Sequence, residues 1–373
     1  MTVSLKNWMA DPSLKDKRLH ELAIPGSHDS VTSGLNWLDD ENKVSRTQNW
    51  SVTNQLNQGV RVFDIRVNTD DMTINHGKTR TEVKLSTVLE NFRDFLLATD
   101  ETIVMHVKHE WGDTQSFHGK MIGALRHTFP WNADNSKNLF NKHVHLLPFN
   151  QNGTIPTLGQ LRKKLVYVRR YGPVGGDFMP EAAQDRIDAG TPVDYFASGE
   201  DYNAWKKAPA GTKWPERFDT LDLRVWPKSE GNFDYKKIDF RNRDGVSFVV
   251  QDYYLQTGRG SVESKIAEKM ASVRRYRDSA ASADFPESWY LNFVSCTSLL
   301  DHPIKYAMGI NPTLTAMPPG GAMNFETVAP KGCNALLLEM LQEPGATRQR
   351  GTFLLDFCDS PPSLTRTIVD LNF

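Results

Sequence analysis

Residues Leu19–Ser30 read LHELAIPGSHDS, a largely apolar run followed by a proline, a glycine and then a histidine beside an aspartate. Its first half, Leu19–Ile24, predicts a β-strand, because a short apolar run bounded by turn residues is typical of strands. The proline and glycine that follow predict the end of this strand, since proline removes a backbone donor and glycine favours turns. The segment therefore predicts a strand whose end presents His28 and Asp29.

The rest of the chain alternates short apolar runs with helical stretches. Further strands are predicted at Val60–Val67, Met72–Asn75, Thr102–Val107, Leu165–Arg169, Val246–Gln251, Trp289–Val294 and Thr352–Leu355. Helices are predicted at Leu85–Leu97, Ser116–Thr128, Ser261–Ser279 and Asn334–Gln342. Leu85–Leu97 is the clearest of these helices, because its apolar residues recur at helical spacing on one face.

This alternation indicates a single α/β domain over residues 1–373. About eight strands interleaved with helices, several of them apolar on both faces, predict a (β/α)8 barrel of the TIM type. A doubly wound open sheet is the alternative. Residues 172–242 break the pattern and are rich in proline, glycine, aspartate and tryptophan, so they predict a long insertion with only short elements.

The composition is that of a soluble globular enzyme, with 39% hydrophobic and 24% charged residues in a chain of 373. A formal net charge of -1 excludes a general electrostatic attraction to nucleic acids or anionic lipids. No apolar run approaches the ~20 residues that span a bilayer, and the N-terminus lacks the apolar core of a secretory signal. Cys296, Cys333 and Cys358 are widely spaced, which argues against a disulfide framework and against a zinc site.

Ionisable residues end or follow most of the predicted strands. They are His28, Asp29, Asp64, Arg66, His76, Lys108, Glu110, Arg169, Arg170, Asp252, Tyr254 and Asp356. The C-terminal ends of barrel strands carry function, because the loops that follow them converge on one face. Singly, each residue has a structural explanation: a lone histidine is commonly a core or surface residue, and Asp64 with Arg66 fits an internal ion pair. Together they predict a shared site.

Two histidines, an arginine and several carboxylates are suited to cleaving a phosphodiester without a metal ion. One imidazole can take the proton of an attacking hydroxyl, and the other can protonate the departing alcohol, which leaves poorly as an alkoxide. The fork of an arginine fits two phosphate oxygens and stabilises the charge that develops on them. Each histidine is expected to pair with a carboxylate that fixes its tautomer.

Several motifs carry a resemblance to a known family. LHELAIPGSHDSVTSGL, QLNQGVRVFDIRV and TINHGK closely resemble the X region of phosphatidylinositol-specific phospholipases C. The resemblance to the small secreted bacterial enzymes of this family continues through ETIVMHVKHEW, KKLVYVRRYG, VVQDYY, YLNFVSC and GTFLLDFCD, in the same order. Only the insertion and the stretch around Leu314–Gly332 fall outside it. The resemblance implies a single distorted (β/α)8 barrel that cleaves phosphatidylinositol to diacylglycerol and inositol 1,2-cyclic phosphate.

The resemblance also implies roles for individual residues. His28 takes the place of the general base that deprotonates the inositol 2-hydroxyl, Asp356 that of its orienting partner, and Arg66 that of the phosphate-binding arginine. The remaining catalytic positions are the general acid His76, the adjacent Asp29 and the supporting carboxylate Asp64. The positions that bind the inositol ring are Lys108, Glu110, Arg170, Asp252 and Tyr254. Charged contacts to neighbouring hydroxyls would reject analogues that lack them.

Arg66 decides the expected metal requirement. Calcium-dependent relatives carry carboxylates around this position, so a fixed positive charge here implies catalysis without a metal or another cofactor. The alternative is a calcium-dependent phosphoinositide phospholipase C, or a related glycerophosphodiester or sphingomyelin phosphodiesterase, with Asp29, Asp64 and Glu110 as candidate Ca²⁺ ligands. A third hypothesis is an inactive inositide- or glycan-binding module, which predicts the loss of a histidine or of Arg66; all are present.

The expected partner is phosphatidylinositol in a membrane, bound peripherally by a monomer that has no nucleic-acid partner. Glycosylphosphatidylinositol anchors are a further candidate substrate. Trp37, just after the first strand, is the candidate side chain for contact with lipid headgroups, and packing against the barrel is its alternative role. Trp205, Trp214 and Trp226 of the insertion are further candidates. The resemblance to secreted enzymes also implies secretion.

Overall fold

The computed structural model describes residues 3–35, 45–113, 116–130, 138–145, 155–171, 221–222, 240–241, 247–254, 260–282, 287–298, 301–314, 323–344 and 350–373. Its strands are β1 (Ala23–Ser27), β2 (Val62–Asn68), β3 (Thr73–His76), β4 (Thr79–Lys84), β5 (Thr102–Trp111), β6 (Val144–His145), β7 (Lys164–Arg170), β8 (Leu221–Asp222), β9 (Phe240–Arg241), β10 (Ser247–Gln251), β11 (Trp289–Phe293), β12 (Ile310–Leu314), β13 (Met323–Thr327) and β14 (Gly351–Leu355).

The α-helices are α1 (Val52–Asn57), α2 (Leu85–Ala98), α3 (Phe117–Thr128), α4 (Leu139–His143), α5 (Leu158–Leu161), α6 (Val262–Ser282), α7 (Pro303–Met308), α8 (Cys333–Leu341) and α9 (Leu364–Asp370). Short 3₁₀ helices occur at Leu5–Asn7, Pro12–Leu14, Leu19–Glu21 and Thr32–Gly34. Within the described ranges, no helix is both long enough and apolar enough to cross a bilayer.

The strand order identifies a barrel rather than a doubly wound sheet. Parallel neighbours run in the order β7-β5-β2-β1-β14-β11-β10, so the first strand of the chain pairs with the last. Around a closed barrel the strands follow one another in chain order, and the last strand lies beside the first, as here. In a doubly wound sheet the first strand lies in the middle, and later strands are added on both sides of it. The two-residue strands β6 and β8 both pair in parallel with β7 as well. The predicted (β/α)8 architecture is confirmed.

Successive side chains of each barrel strand point alternately into two apolar clusters, one on each face of the sheet. One buried cluster fills the inside of the barrel and includes Ile24, Val62, Val104, Val166, Phe248, Leu291 and Leu354. The sequence neighbours of these residues, such as Phe63 and Met105, join a second cluster beneath the helices, together with Val88 and Phe92 of α2. The apolar face predicted for Leu85–Leu97 is therefore the face by which α2 covers the barrel.

The first strand differs from its prediction. Leu19–Glu21 form a 3₁₀ turn, and β1 starts at Ala23 and runs through the proline and glycine instead of ending before them. A Cβ at Gly26 would lie 3.1 Å from the Cβ of Val62, so glycine is what permits β1 to approach β2 this closely. The proline lacks only a donor, and its carbonyl still accepts the backbone N–H of Arg61, the residue before β2.

The predicted strand Met72–Asn75 also has a different role, because β3 is not one of the barrel strands. It pairs antiparallel with β2 and with β4, and forms a hairpin at the C-terminal end of β2. His76 is the last residue of β3, and Gly77 follows it in the left-handed region with φ 57°. The hairpin therefore carries His76 over the mouth of the barrel.

Candidate active site

The inward face of most barrel strands changes from apolar to ionisable at the C-terminal end. Side chains alternate along a strand, so Val62, Asp64 and Arg66 of β2 face the interior in succession. Corresponding positions on the other strands open into one cavity of about 280 Å³. Its lining residues are His28, Arg66, His76, Gly77, Lys108, Glu110, Arg170, Asp252, Tyr254, Ser295, Cys296, Thr297 and Asp356.

His28 follows β1 directly and is oriented by the carboxylate of Asp356, which directly follows the neighbouring strand β14. Its Nδ1 lies 2.7 Å from Asp356 Oδ1, so Nδ1 carries a hydrogen and Nε2 is left as the acceptor atom of the ring. The two residues stand side by side because β1 and β14 pair in parallel up to Ser27 and Leu355. The ring also packs edge-on against Phe293, with centroids 5.8 Å apart. This is the arrangement that a general base requires.

Arg66 is held from below by two carboxylates. Its Nε lies 2.7 Å from Asp29 Oδ1, and its Nη2 lies 2.9 Å from Asp64 Oδ2. Burial alone would lower the pKa of Arg66, but Asp29 and Asp64 hold that pKa well above its ordinary value. Burial raises the pKa of Asp64, but Arg66 and His106 outweigh it and hold the pKa well below its usual range. The guanidinium is therefore charged and fixed, with Nη2 2.6 Å from His28 Nε2.

His76 faces His28 across the carboxylate of Asp29. The two imidazole centroids are 6.3 Å apart, and Asp29 Oδ2 lies 3.3 Å from His28 Nε2 and 3.4 Å from His76 Nε2. The Nδ1 of His76 lies 2.8 Å from the backbone oxygen of Ser45, so a carbonyl sets its tautomer. Each histidine thus has the expected carboxylate partner, Asp356 for His28 and Asp29 for His76, but the group bonded to Nδ1 of His76 is a carbonyl rather than a carboxylate.

The surrounding charges make His28 a stronger base than a free imidazole. Burial lowers the pKa of His28, but the carboxylates of Asp29 and Asp356 outweigh burial and raise the pKa above its ordinary value. Elsewhere in the cavity, burial raises the pKa of Glu110, whereas Arg66 and a neighbouring lysine lower it to about 2. The cavity thus combines ionised carboxylates with fixed cations around the two histidines.

The residues predicted to bind an inositol ring form two ion pairs in the same cavity. Lys108 Nζ lies 2.6 Å from Glu110 Oε2, and Arg170 Nη2 lies 3.5 Å from Asp252 Oδ2. Glu110 Oε1 also accepts a backbone N–H from the β3–β4 turn at 2.8 Å, which ties this group to the hairpin. Tyr254 is 42% exposed at the rim. Neighbouring donors and acceptors of this kind match a ring of adjacent hydroxyls.

The structure brings all the predicted catalytic and ring-binding residues together. Asp29 and Asp64 lie beneath the cavity in contact with Arg66, and the others line the cavity itself. Trp37 lies outside the described residues, as do Trp205, Trp214 and Trp226. The membrane contacts of these tryptophans stay a prediction.

Sequence reasoning missed several residues of the site. Ser295, Cys296 and Thr297 follow β11 and line the cavity. His106 lies between Val104 and Lys108 on the inward face of β5, and its Nδ1 is 3.2 Å from Asp64 Oδ1. The two-residue alternation along β5 is the signal that could have identified His106.

Three comparisons with known proteins agree with this geometry. The family model "Phosphatidylinositol-specific phospholipase C, X domain" matches residues 22–171. A 1-phosphatidylinositol phosphodiesterase of Staphylococcus aureus (strain Newman) is 32% identical over 323 residues, which is 84% of this chain and 83% of the relative. A second one, from Listeria monocytogenes serovar 1/2a, is 30% identical over 170 residues, which is 44% of this chain and 49% of the relative.

Solved structures have the same fold. The phosphatidylinositol-specific phospholipase C from Listeria monocytogenes superposes with a TM-score of 0.62 at 20% sequence identity, and the match covers 100% of both chains. Because the Staphylococcus aureus relative matches over most of both lengths, similarity is not confined to the X region. The chain therefore belongs to the phosphatidylinositol-specific phospholipase C family.

Proposed function

We propose that the protein cleaves phosphatidylinositol to diacylglycerol and inositol 1,2-cyclic phosphate by acid–base catalysis without a metal ion. The observation that carries this proposal is the position of His28 and His76 on either side of one site, with centroids 6.3 Å apart beside the Arg66 guanidinium. When a phosphate binds between the two imidazoles, the attacking oxygen lies next to the proton acceptor and the leaving oxygen lies next to the proton donor on the opposite side. The names of the curated relatives support the same substrate. Glycosylphosphatidylinositol anchors carry the same headgroup and are a second candidate substrate.

In the first step the inositol 2-hydroxyl oxygen attacks phosphorus and forms a new P–O bond. His28 Nε2 takes the hydroxyl proton, and Asp356 stabilises the resulting imidazolium through Nδ1. The P–O bond to diacylglycerol breaks as His76 gives its Nε2 proton to the departing oxygen. Water then opens the cyclic phosphate more slowly. The nucleophile belongs to the substrate, so its own geometry provides the proximity that a serine or cysteine nucleophile would otherwise supply.

Arg66 stabilises the charge that develops on the phosphoryl oxygens. A guanidinium offers two parallel N–H donors, and the Asp29 and Asp64 carboxylates hold it in place before substrate binds. Such preorganised donors need little reorganisation during the reaction, and they act strongly in a site that excludes water. Asp29 also bridges the two histidines, so it couples the position of the acid to that of the base.

The ring-binding residues supply specificity for inositol. Lys108 and Arg170 can donate to ring hydroxyls, whereas Glu110 and Asp252 can accept from them. A sugar that lacks one of these hydroxyls would leave a buried charged group without its hydrogen bond, which strongly disfavours binding. Tyr254 at the rim is suited to pack against the edge of the ring.

The position of Arg66 supports catalysis without a metal ion. His28, Asp29 and Asp64 place possible ligand atoms within 4.8 Å of one another, so they would otherwise resemble a cation site. Arg66 Nη2 already lies 2.6 Å from His28 Nε2 and 2.9 Å from Asp64 Oδ2, and Arg66 Nε lies 2.7 Å from Asp29 Oδ1. A divalent cation on the same atoms would stand at contact distance from a fixed positive charge. These residues therefore do not fit Ca²⁺ while Arg66 is present.

We further propose that residues 1–373 form one catalytic domain, which acts as a secreted monomer on the membrane surface. The cavity supports a single domain, since His28 near one end of the chain and Asp356 near the other meet in one site. Secretion and peripheral membrane binding are inferred from the resemblance to the small secreted bacterial enzymes. Light scattering after size-exclusion chromatography tests the monomer, and a second copy in the eluted species would overturn it.

The experiment that tests the function is phosphorus NMR of phosphatidylinositol vesicles incubated with the protein. The expected result is a cyclic phosphodiester resonance that precedes the monoester, with the same rate in the presence of EDTA. Activity that is lost in EDTA and restored by Ca²⁺ would favour the calcium-dependent alternative. Turnover of glycerophosphodiester or sphingomyelin vesicles, with none of phosphatidylinositol, would overturn the proposed substrate.

A further inference from the structure

A buried lysine outside the cavity joins two of the strand ends that build it. Lys269 lies on α6 and is completely buried, as is Gln251 at the end of β10. Lys269 Nζ donates to Gln251 Oε1 at 3.0 Å and to the backbone oxygen of Tyr253 at 2.7 Å. Burying an amino group is unfavourable unless hydrogen bonds compensate for the lost water. These two bonds therefore determine where the β10 end can lie against the helix.

Asp252 lies between the two residues that Lys269 holds. Gln251 Oε1 also accepts the Tyr253 N–H at 2.7 Å, so the residues on either side of Asp252 are bonded to each other. The Tyr253 hydroxyl donates to Glu268, the sequence neighbour of Lys269, at 2.7 Å. The helix thus fixes both flanking residues, and the Asp252 side chain lines the cavity.

Gln251 also bonds to the end of β11, which packs against His28. Gln251 Nε2 donates to Asn292 Oδ1 at 2.8 Å and to the backbone oxygen of Phe293 at 2.9 Å. Asn292 is buried, and the Phe293 ring lies edge-on to His28 with centroids 5.8 Å apart. Gln251 therefore connects a ring-binding element to the wall beside His28.

We infer that Lys269 is a positioning residue, which fixes Asp252 for the inositol ring and, through Gln251, the Phe293 wall beside His28. This inference rests on the proposed function, because it assigns the lysine to inositol recognition. Its two arms have different kinetic consequences. Displacing Asp252 weakens binding of the ring, whereas displacing Phe293 slows proton transfer by His28. If the lysine served only packing, its substitution would lower the free energy of unfolding but would not change KM and kcat by different factors.

Lys269→Met tests the Asp252 arm, because it keeps the side-chain length and removes both donated bonds. We expect the KM for phosphatidylinositol and the inhibition constant of free myo-inositol to rise about 10- to 100-fold, since a displaced carboxylate loses its contact with the ring. Lys265→Met is the matched control on the same helix, where the Lys265 ammonium donates to Ser298 Oγ at 2.9 Å. The control should keep both constants within about twofold of wild type.

Gln251→Glu tests the link from Gln251 to the Phe293 wall, which is the half of the inference that stays testable if Lys269→Met does not fold. Its carboxylate still accepts from Lys269 and Tyr253, but it has no hydrogen to donate to the β11 end. We expect the myo-inositol inhibition constant to stay within about threefold of wild type while kcat falls about tenfold or more. Thermal unfolding verifies that each variant is folded at the assay temperature.

Two results would overturn the inference. One is a folded Lys269→Met variant with wild-type KM. The other is a Gln251→Glu variant in which kcat and the myo-inositol inhibition constant change by the same factor. Either result leaves the proposed function intact, as long as the wild type forms the cyclic phosphate. If the wild-type protein forms no cyclic phosphate, the proposed function fails. The myo-inositol constants of the variants then still report whether Lys269 positions a ring-binding site.

Discussion

Asp356→Asn probes the general base most directly. The Asp356 carboxylate is buried 2.7 Å from His28 Nδ1, so its charge is little screened by water. A charge-assisted hydrogen bond contributes about 1.5–3 kcal/mol, and a charge partner about 4 Å from the transition-state imidazolium is worth on the order of 4 kcal/mol in a partly shielded site. These contributions overlap, and an amide oxygen can still accept the hydrogen. We expect a loss of about 3–4 kcal/mol, which lowers kcat roughly 100- to 1,000-fold.

The same substitution should move the pH dependence of catalysis. In the wild type, burial lowers the pKa of His28, and Asp29 and Asp356 more than reverse this, so the pKa lies above its ordinary value. A general base works only when it is unprotonated, so wild-type kcat/KM falls as the pH drops through this raised pKa. Without the Asp356 charge the pKa of His28 is lower, and the acid limb of the profile moves to lower pH.

The assay is the pH profile of kcat/KM for phosphatidylinositol cleavage, measured across the range in which histidine titrates. Asp359→Asn is the matched control, since Asp359 accepts the side-chain amide of Asn49 at 3.0 Å and does not contact His28. A kcat for Asp356→Asn within about threefold of wild type, or an acid limb that does not move, would refute the role assigned to Asp356.

Three other substitutions test the site and the fold. Arg66→Lys should lower kcat roughly 100- to 10,000-fold without rescue by Ca²⁺, because an ammonium cannot present the two-hydrogen fork to phosphate; recovery of activity in Ca²⁺ would contradict this. Glu110→Gln should lower the free energy of unfolding at neutral pH by about 3 kcal/mol, because the pKa of this group falls from 4.5 to about 2 on folding. Because folding lowers the pKa of Glu110, its ionised carboxylate stabilises the folded protein at pH values above the pKa of the unfolded state. This stabilisation is lost as the pH falls through the pKa of the folded state. The difference in urea unfolding should therefore shrink below pH 4.5, and a difference that is independent of pH would argue against it. Gly26→Ala should destabilise the barrel by about 1–3 kcal/mol, since the new Cβ lies 3.1 Å from Val62, and calorimetry showing wild-type stability would refute that close approach.

Much of the site could be predicted from the sequence because the two-residue alternation that places apolar side chains inside the barrel also places the site's polar side chains at its mouth. Val62, Asp64 and Arg66 follow each other on the inward face of β2, and the last inward positions of the other strands lie at the same mouth. A predicted strand therefore also predicts where its last polar side chains point. The pairing of Asp356 with His28, more than three hundred residues away in sequence, follows instead from the family resemblance, and the parallel pairing of β1 with β14 accounts for the contact.

Contacts between distant segments could not be predicted in this way. The carbonyl that orients His76 comes from Ser45, and neither residue has a local pattern that indicates the other. Lys269 is one polar residue in an amphipathic helix, and only the packing of α6 against β10 reveals its bonds to the strand end. A proline predicts the end of a strand, but the Pro25 carbonyl accepts the N–H of Arg61, just before β2, and the ladder to β2 begins at Gly26.

His28 and His76 are proposed to move protons in opposite directions on one phosphorus. The most direct measurement compares His28→Ala and His76→Ala on two inositol phosphodiesters, one that releases diacylglycerol and one that releases p-nitrophenol. Nitrophenolate leaves without a proton, so His76→Ala should lose about 100-fold or more on the lipid and less than about tenfold on the nitrophenyl ester, whereas His28→Ala should lose activity on both. An equal loss for His76→Ala on the two substrates would contradict its role as the general acid.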